Sequence, residues 1–167
     1  MTNKLGSANP NRISSLKKTH KIEEIYNYHK IHNLCETSGQ PTRSQLKLLI
    51  EKGYQVIVNL SQNSVVNKVV LNEKRVFESS NVKYIHLPVD FDNPRESDFE
   101  KFVLIISKFK SKKLWIHCAA NMRVSAFIYR YRRDILKLKH TDIIGDLEVI
   151  WKPSKIWVNF LSLNDNS

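Results

Sequence analysis

Cysteine is scarce in this chain: Cys35 and Cys118 are the only two in 167 residues. Two thiols do not make a disulfide framework, so the fold is expected to rest on a hydrophobic core and to belong in the reducing cytoplasm. Long apolar runs are missing too. None approaches the roughly 20 residues that span a bilayer, and the polar, basic stretch from Met1 to Lys21 lacks the apolar centre of a secretory signal. Acidic residues are outnumbered, 16 against 27 Lys and Arg, for a formal net charge of +11. That excess is scattered over Lys17-Lys18, Lys47, Lys108 to Lys113, Arg130 to Arg133 and Lys137 to Lys139. No aromatic-interleaved RNA-binding motif or zinc-finger spacing accompanies it, so no specific nucleic-acid partner is expected. The charge reads as a solvated basic surface that also favours anionic, phosphorylated substrates.

What is present suits one soluble domain. Hydrophobic residues make up 41% and charged residues 26%, ordinary values for a chain long enough to bury a core. Residues 1–20, rich in Asn, Ser and Lys, read as a flexible basic arm, 21–163 as a single domain and 164–167 as a tail. Within the domain, residues 22–32 suggest a short helix and Leu34 to Thr37 a short strand. Thr42 is a plausible N-cap for a helix over 43–52, with Leu46, Leu49 and Ile50 on one face and Gly53 just past its end. Tyr54 to Leu60 reads as a buried strand, 64–79 as a helix centred on 67–79, and Val82 to Leu87 as a strand ended by Pro88. Ser97 would cap a helix running through Lys110 with Phe99, Phe102, Val103 and Ile106 inward. A strand over Lys113 to His117, a long helix over Val124 to Leu138 and helices over 142–151 and 153–163 complete the pattern. Strands alternating with helices predict an α/β fold of three layers: a central, mostly parallel sheet of four to five strands flanked by helices.

Ligand sites in such folds lie at the carboxyl ends of strands. The apolar run Leu114-Trp115-Ile116 ends in His117-Cys118, and a short loop of small and polar residues leads into a helical pattern. Helix N-termini and cationic neighbours lower a thiol's pKa from its free value of about 8.5, so Cys118 is a candidate nucleophile that would form a phosphocysteine. The backbone of Ala119, Ala120, Asn121, Met122, Arg123, Val124 and Ser125 would cradle the phosphate. Arg123 is the candidate clamp, since its planar fork matches two phosphate oxygens. Ser125 could donate to the sulfur and ease its departure. Asn121 stands where a left-handed backbone is expected, which Asn tolerates best among non-glycine residues. His117 is expected to organise the loop rather than act as a base, because consecutive strand residues point to opposite faces.

A second motif follows the strand ending at Leu87. Asp90 and Asp92, between Pro88 and Pro94, are candidates for the general acid, with Asp90 favoured. The alternative is that one of them caps a turn while the other is solvated. Cys35 reads as a buried structural cysteine, Arg130, Arg132 and Arg133 as a solvated helix face, and Trp151 and Trp157 as packing residues.

His117-Cys118 followed by Arg123 and Ser125 resembles the signature loop of protein tyrosine and dual-specificity phosphatases. With Thr37-Ser38-Gly39-Gln40-Pro41-Thr42 and Tyr84-Ile85-His86-Leu87-Pro88-Val89-Asp90-Phe91, the chain is similar to a small bacterial group of phosphatases of the dual-specificity-like fold, over residues 22–140. The resemblance implies phosphomonoester hydrolysis through a cysteinyl-phosphate, with no metal and no cofactor, acting on a phosphorylated protein or a small phosphomonoester. The usual signature is Cys, five residues, Arg, then Ser or Thr. Here Arg123 comes one residue early, Val124 takes the arginine's place and Asn121 replaces a usual glycine. Either the loop is rewound so that Arg123 reaches the phosphate, or the clamp is lost. The first case gives a cysteine-dependent phosphatase, the second a pseudophosphatase that binds anionic or phosphorylated partners. A rhodanese-like sulfurtransferase, which also cradles a cysteine after a strand, ranks third.

Overall fold

A computed structural model describes residues 21–62 and 67–163 of the chain, without the side chains of 67–71. The N-terminal arm and the four-residue tail expected from the sequence lie outside the described residues. Five strands form one sheet: β1 (His29–Ile31), β2 (Cys35–Ser38), β3 (Val56–Asn59), β4 (Lys83–His86) and β5 (Leu114–His117). Six helices accompany them: α1 (Arg43–Glu51), α2 (Asn67–Phe77), α3 (Glu96–Phe109), α4 (Met122–Asp134), α5 (His140–Glu148) and α6 (Lys155–Leu161). The strand order is β1-β2-β5-β3-β4. Only the β1–β2 pair is antiparallel; β5 runs parallel to β2 and β3, and β3 parallel to β4. This is the three-layer, mostly parallel α/β fold expected.

Alternation along the strands decides what each face meets. Val56, Val58, Leu114, Ile116 and Cys118 belong to the larger core, with residues of α3, α4, α5 and α6. Ile57 and Trp115 point the other way, into a core with Leu46 and Leu49 of α1 and Phe77 of α2. Both central strands are buried along their whole length, β3 as Val-Ile-Val-Asn and β5 as Leu-Trp-Ile-His. A strand covered by helices on both faces requires that continuous apolar character.

Local chemistry fixes α1 as expected. Thr42 Oγ1 accepts from the Gln45 N–H at 3.3 Å while Gln45 Oε1 accepts from the Thr42 N–H at 2.8 Å, a complete capping box. Gly53, at φ 77°, takes the left-handed position just past the helix end.

Several expectations need correction. Residues 22–32 are not a helix: a single 3-10 turn at Ile22–Glu24 is followed by β1. Asn27 at φ 48° breaks any helical continuation, and Ile25 and Ile31 serve opposite cores. α3 begins at Glu96, so Ser97 lies inside its first turn and Arg95 holds the cap position without a side-chain bond. α4 stops at Asp134 rather than Leu138, because Lys137 turns left-handed at φ 58°. Arg130, Arg132 and Arg133 are not a solvated face. Arg130 lies over Phe99 and Phe160 and pairs with Glu96 and Asp134, Arg132 pairs with Asp146, and Arg133 reaches Asp134 and the Leu161 carbonyl. These guanidinium groups tie α4 to α3, α5 and α6. Among the described residues no helix is long and apolar enough to cross a membrane.

Candidate active site

β5 lies in the middle of the sheet and delivers Cys118 at its carboxyl end, where the chain turns into α4. The cysteine is 1% exposed and its N–H donates to the Ser38 carbonyl at 3.3 Å. Cys35 is also free and buried in the same core, and burial pushes its thiol up, away from ionisation, against the pull of Arg132.

The turn after Cys118 is braced from β2 and the segment before β1. Asn121 is fully buried in the left-handed region, at φ 65° and ψ −1°, where a left-handed backbone was expected. Its Nδ2 donates to the Asn27 carbonyl at 2.7 Å and to Thr37 Oγ1 at 2.9 Å. Asn27 Nδ2 donates back to the Ala120 carbonyl at 3.0 Å. The Gln40 N–H donates to the Ala119 carbonyl at 3.0 Å, and the Gly39 N–H to the Tyr26 carbonyl at 2.7 Å. Gly39 permits this approach. A Cβ there would stand 2.6 Å from Tyr26 Cδ1 and 2.9 Å from the Ala119 carbonyl oxygen. Asn27 carried no recognisable motif in the sequence; it acts only through this long-range reciprocal pair.

Arg123 is the second residue of α4, and Val124 beside it is fully buried in the larger core. The position usual for the arginine is thus a packing position here. The Arg123 guanidinium lies over the Phe91 ring, 5.4 Å from Cζ to the centroid, and Nε is buried with no hydrogen-bond partner among the described residues. Phe91 connects Arg123 to the loop carrying Asp90 and Asp92, so the two motifs meet at one end of the sheet.

Asp90 Oδ1 accepts from the Asp92 N–H at 3.0 Å, a turn closed by its own side chain. Asp90 is half-buried and Asp92 exposed, the arrangement of the capped-turn alternative. The loop is held from behind by aromatics. Phe91 packs on Trp151 and Trp157 with centroids 5.6 Å from each, and Trp157 Nε1 donates to the Phe91 carbonyl at 2.9 Å. Trp151 does more than pack: its Nε1 donates to Ser125 Oγ at 3.2 Å. The Ser125 hydroxyl in turn donates to the Met122 carbonyl at 2.9 Å. The Ser125 N–H donates to the Asn121 carbonyl at 2.9 Å inside the helix, which removes it from the expected cradle. Nothing in the sequence linked Trp151 to Ser125, 26 residues away.

His117 is fully buried and faces the α1–α2 layer, away from Cys118, with Nε2 3.3 Å from Glu73 Oε2 of α2. Burial works to raise the Glu73 carboxyl's pKa, but its pairing with His117 and the bonds from Gln40 and Tyr84 hold it below the usual carboxylate range. A cavity of about 640 Å³, bordered by Tyr54, Asn81, Lys83 and Phe109, lies at the opposite ends of the strands.

Comparison with known proteins agrees with the fold. Residues 8–149 match a family described as DSP-PTPase phosphatase fused to NAD+ kinase. No curated protein matches. A solved DUF442 protein from Shewanella putrefaciens CN-32 is similar, with 24% identity, 85% of this chain and 93% of that one covered, and a TM-score of 0.70. Tk-PTP in its active form superposes with a TM-score of 0.67 at 14% identity over 82% of this chain and 95% of its own. P. aeruginosa TpbA, solved as a cysteine-to-serine variant in complex with pTyr, gives 0.56 at 12% identity, over 83% of this chain and 89% of its own.

Proposed function

This chain belongs to the DSP-PTPase phosphatase family, and from that membership we propose that it is a cysteine-dependent phosphatase hydrolysing phosphomonoesters through a phosphocysteine intermediate. The observation that carries the reading is the meeting of Arg123 and Phe91, which brings the loop after Cys118 and the Asp90 loop to one place.

In this mechanism Cys118 Sγ attacks phosphorus. The remaining loop N–H groups, from Ala119 to Val124, hold the non-bridging oxygens with the positive end of α4 behind them. Arg123 adds a cation whose Nε is unpartnered until an anion arrives. Asp90, or Asp92 in its place, protonates the departing oxygen. Water then attacks the phosphocysteine and releases inorganic phosphate. Ser125 eases departure of the thiolate once its hydroxyl turns from the Met122 carbonyl toward sulfur. His117 supports the loop without touching substrate. A phosphorylated protein or a small phosphomonoester is the substrate class, and the pTyr complex of TpbA favours an aryl phosphate. The cytoplasm is the compartment in which Cys118 stays reduced.

A second reading, a pseudophosphatase that binds anionic partners without turnover, draws on the burial of Val124 at the usual arginine position. Metal-free hydrolysis of a chromogenic aryl phosphate separates the two. Vanadate-sensitive turnover lost in Cys118→Ser is the expected result; vanadate binding without turnover in the wild type selects the pseudophosphatase.

A further inference from the structure

Three side-chain hydrogen bonds and the His117 ring converge on one carboxylate behind the Cys118 loop. Glu73 is 2% exposed. Its Oε2 accepts from Tyr84 OH at 2.8 Å and from Asn59 Nδ2 at 3.1 Å, and lies 3.3 Å from His117 Nε2. Its Oε1 accepts from Gln40 Nε2. A carboxylate taken out of water costs several kcal/mol unless it is paired and hydrogen-bonded. A position needed only for packing would carry an apolar residue, as Phe77 does one turn later on the same helix. Only an acceptor with two oxygens and no proton of its own satisfies this many donors.

The connections reach both neighbours of the nucleophile. His117 precedes Cys118 and meets Glu73 through its side chain. Ala119 follows Cys118, and its carbonyl accepts from the N–H of Gln40, whose side chain donates to Glu73. Asn59 adds a third tie. Its backbone pairs with His117 across β3 and β5, and its Oδ1 accepts from the Ser61 N–H at 2.8 Å. One carboxylate therefore fixes the strand end before Cys118 and the loop after it.

We propose that Glu73 is a positioning residue of this site: its buried carboxylate holds His117 on one side of Cys118 and, through Gln40, Ala119 on the other. The inference rests on the phosphatase reading above. Glu73 never touches substrate. It keeps the loop N–H groups aimed at the place where charge gathers in the transition state, and misplacement of such groups costs rate steeply.

The test compares wild type with Glu73→Gln and Tyr84→Phe. Gln keeps the side-chain volume, which matters because a cavity of about 230 Å³ already adjoins Glu73 and truncation would enlarge it. It replaces one acceptor oxygen by a donor facing donors. Tyr84→Phe removes one hydroxyl, with its bond to Glu73 and the one it accepts from Asn59, and keeps the ring stacked on Phe77. Circular dichroism confirms folding, aryl phosphate hydrolysis gives kcat and KM, and calorimetry gives vanadate affinity. In folded Glu73→Gln, kcat and vanadate affinity should fall together by roughly tenfold to a hundredfold, with KM changed less than about threefold. Tyr84→Phe should show the same pattern at about threefold to tenfold, and it decides the matter if the Gln variant does not fold. Folded variants with wild-type kcat and vanadate affinity overturn the proposal while the phosphatase reading stands. A wild type with neither turnover nor vanadate binding overturns the phosphatase reading, and with it the site that Glu73 is argued to position.

Discussion

The guanidinium of Arg123 lies over Phe91 with its Cζ 5.4 Å from the ring centroid, joining a helix start to a loop 32 residues earlier in the chain. Removing the ring should loosen both partners. In Phe91→Ala, vanadate affinity is expected to fall several-fold. The half-buried ring should also cost about 2 kcal/mol of stability, below the range for fully buried Phe. Vanadate inhibition and urea unfolding measure the two losses; an unchanged inhibition constant would separate Arg123 from the stack.

Asn121 has two duties, a left-handed backbone and two side-chain bonds. Glycine performs only the first. Asn121→Gly is therefore expected to destabilise the fold by about 2 kcal/mol, from two lost buried hydrogen bonds, although glycine suits the backbone better. Chemical denaturation reads this directly, and a stabilised glycine variant would show that the bonds to Asn27 and Thr37 contribute little.

The two aspartates can be told apart by leaving group. Asp90→Asn should lower turnover of alkyl phosphates by roughly a hundredfold while barely changing that of nitrophenyl phosphate, which departs without a proton. The Asn amide oxygen can still accept from the Asp92 N–H, so the turn should survive. If Asp92→Asn shows that pattern and Asp90→Asn does not, the roles exchange.

Acid should weaken the attachment of α5. Burial works to raise the Asp146 carboxyl's pKa, yet its bonds with Arg132 and His29 and their charges hold it below the usual carboxylate range. A depressed folded-state value means stability that is present above the unfolded-state pKa of about 3.9 and lost as pH falls through the folded one. Asp146→Asn is expected to cost about 1 kcal/mol at pH 7, with the gap closing below about pH 4. Urea midpoints across that range give the curve, and a gap independent of pH would assign the cost to packing.

Much of this was legible in local patterns. The capping box at Thr42 and the left-handed Gly53 bracket α1 as their residue types predict, because capping is settled within a few residues. The outward turn of His117 followed from strand alternation alone. Other features were closed to that kind of reading. Residues 22–32 have an apolar spacing that fits a helix, but Ile25 and Ile31 lie in different cores, and only the assembled sheet makes that division. The arginines of α4 look solvated by composition; Phe99, Phe160, Glu96 and Asp146 come to them from other elements. Trp151 and Glu73 gave no signal, since they act on the site through polar contacts to residues distant in the chain.

The sequence by itself determined the parallel α/β architecture and the delivery of Cys118 from a strand end into a helix start. Hydrophobic period and cap chemistry are short-range properties written residue by residue. The tertiary structure alone decided where the early arginine lies and what stands behind the cysteine. Helical phase sends Val124 into the core and leaves Arg123 toward the Asp90 loop. Chain folding then brings Phe91 beneath Arg123 and Glu73 against His117. Those partners are separated by tens of residues, and no local rule relates them until the sheet and its two helical layers have packed.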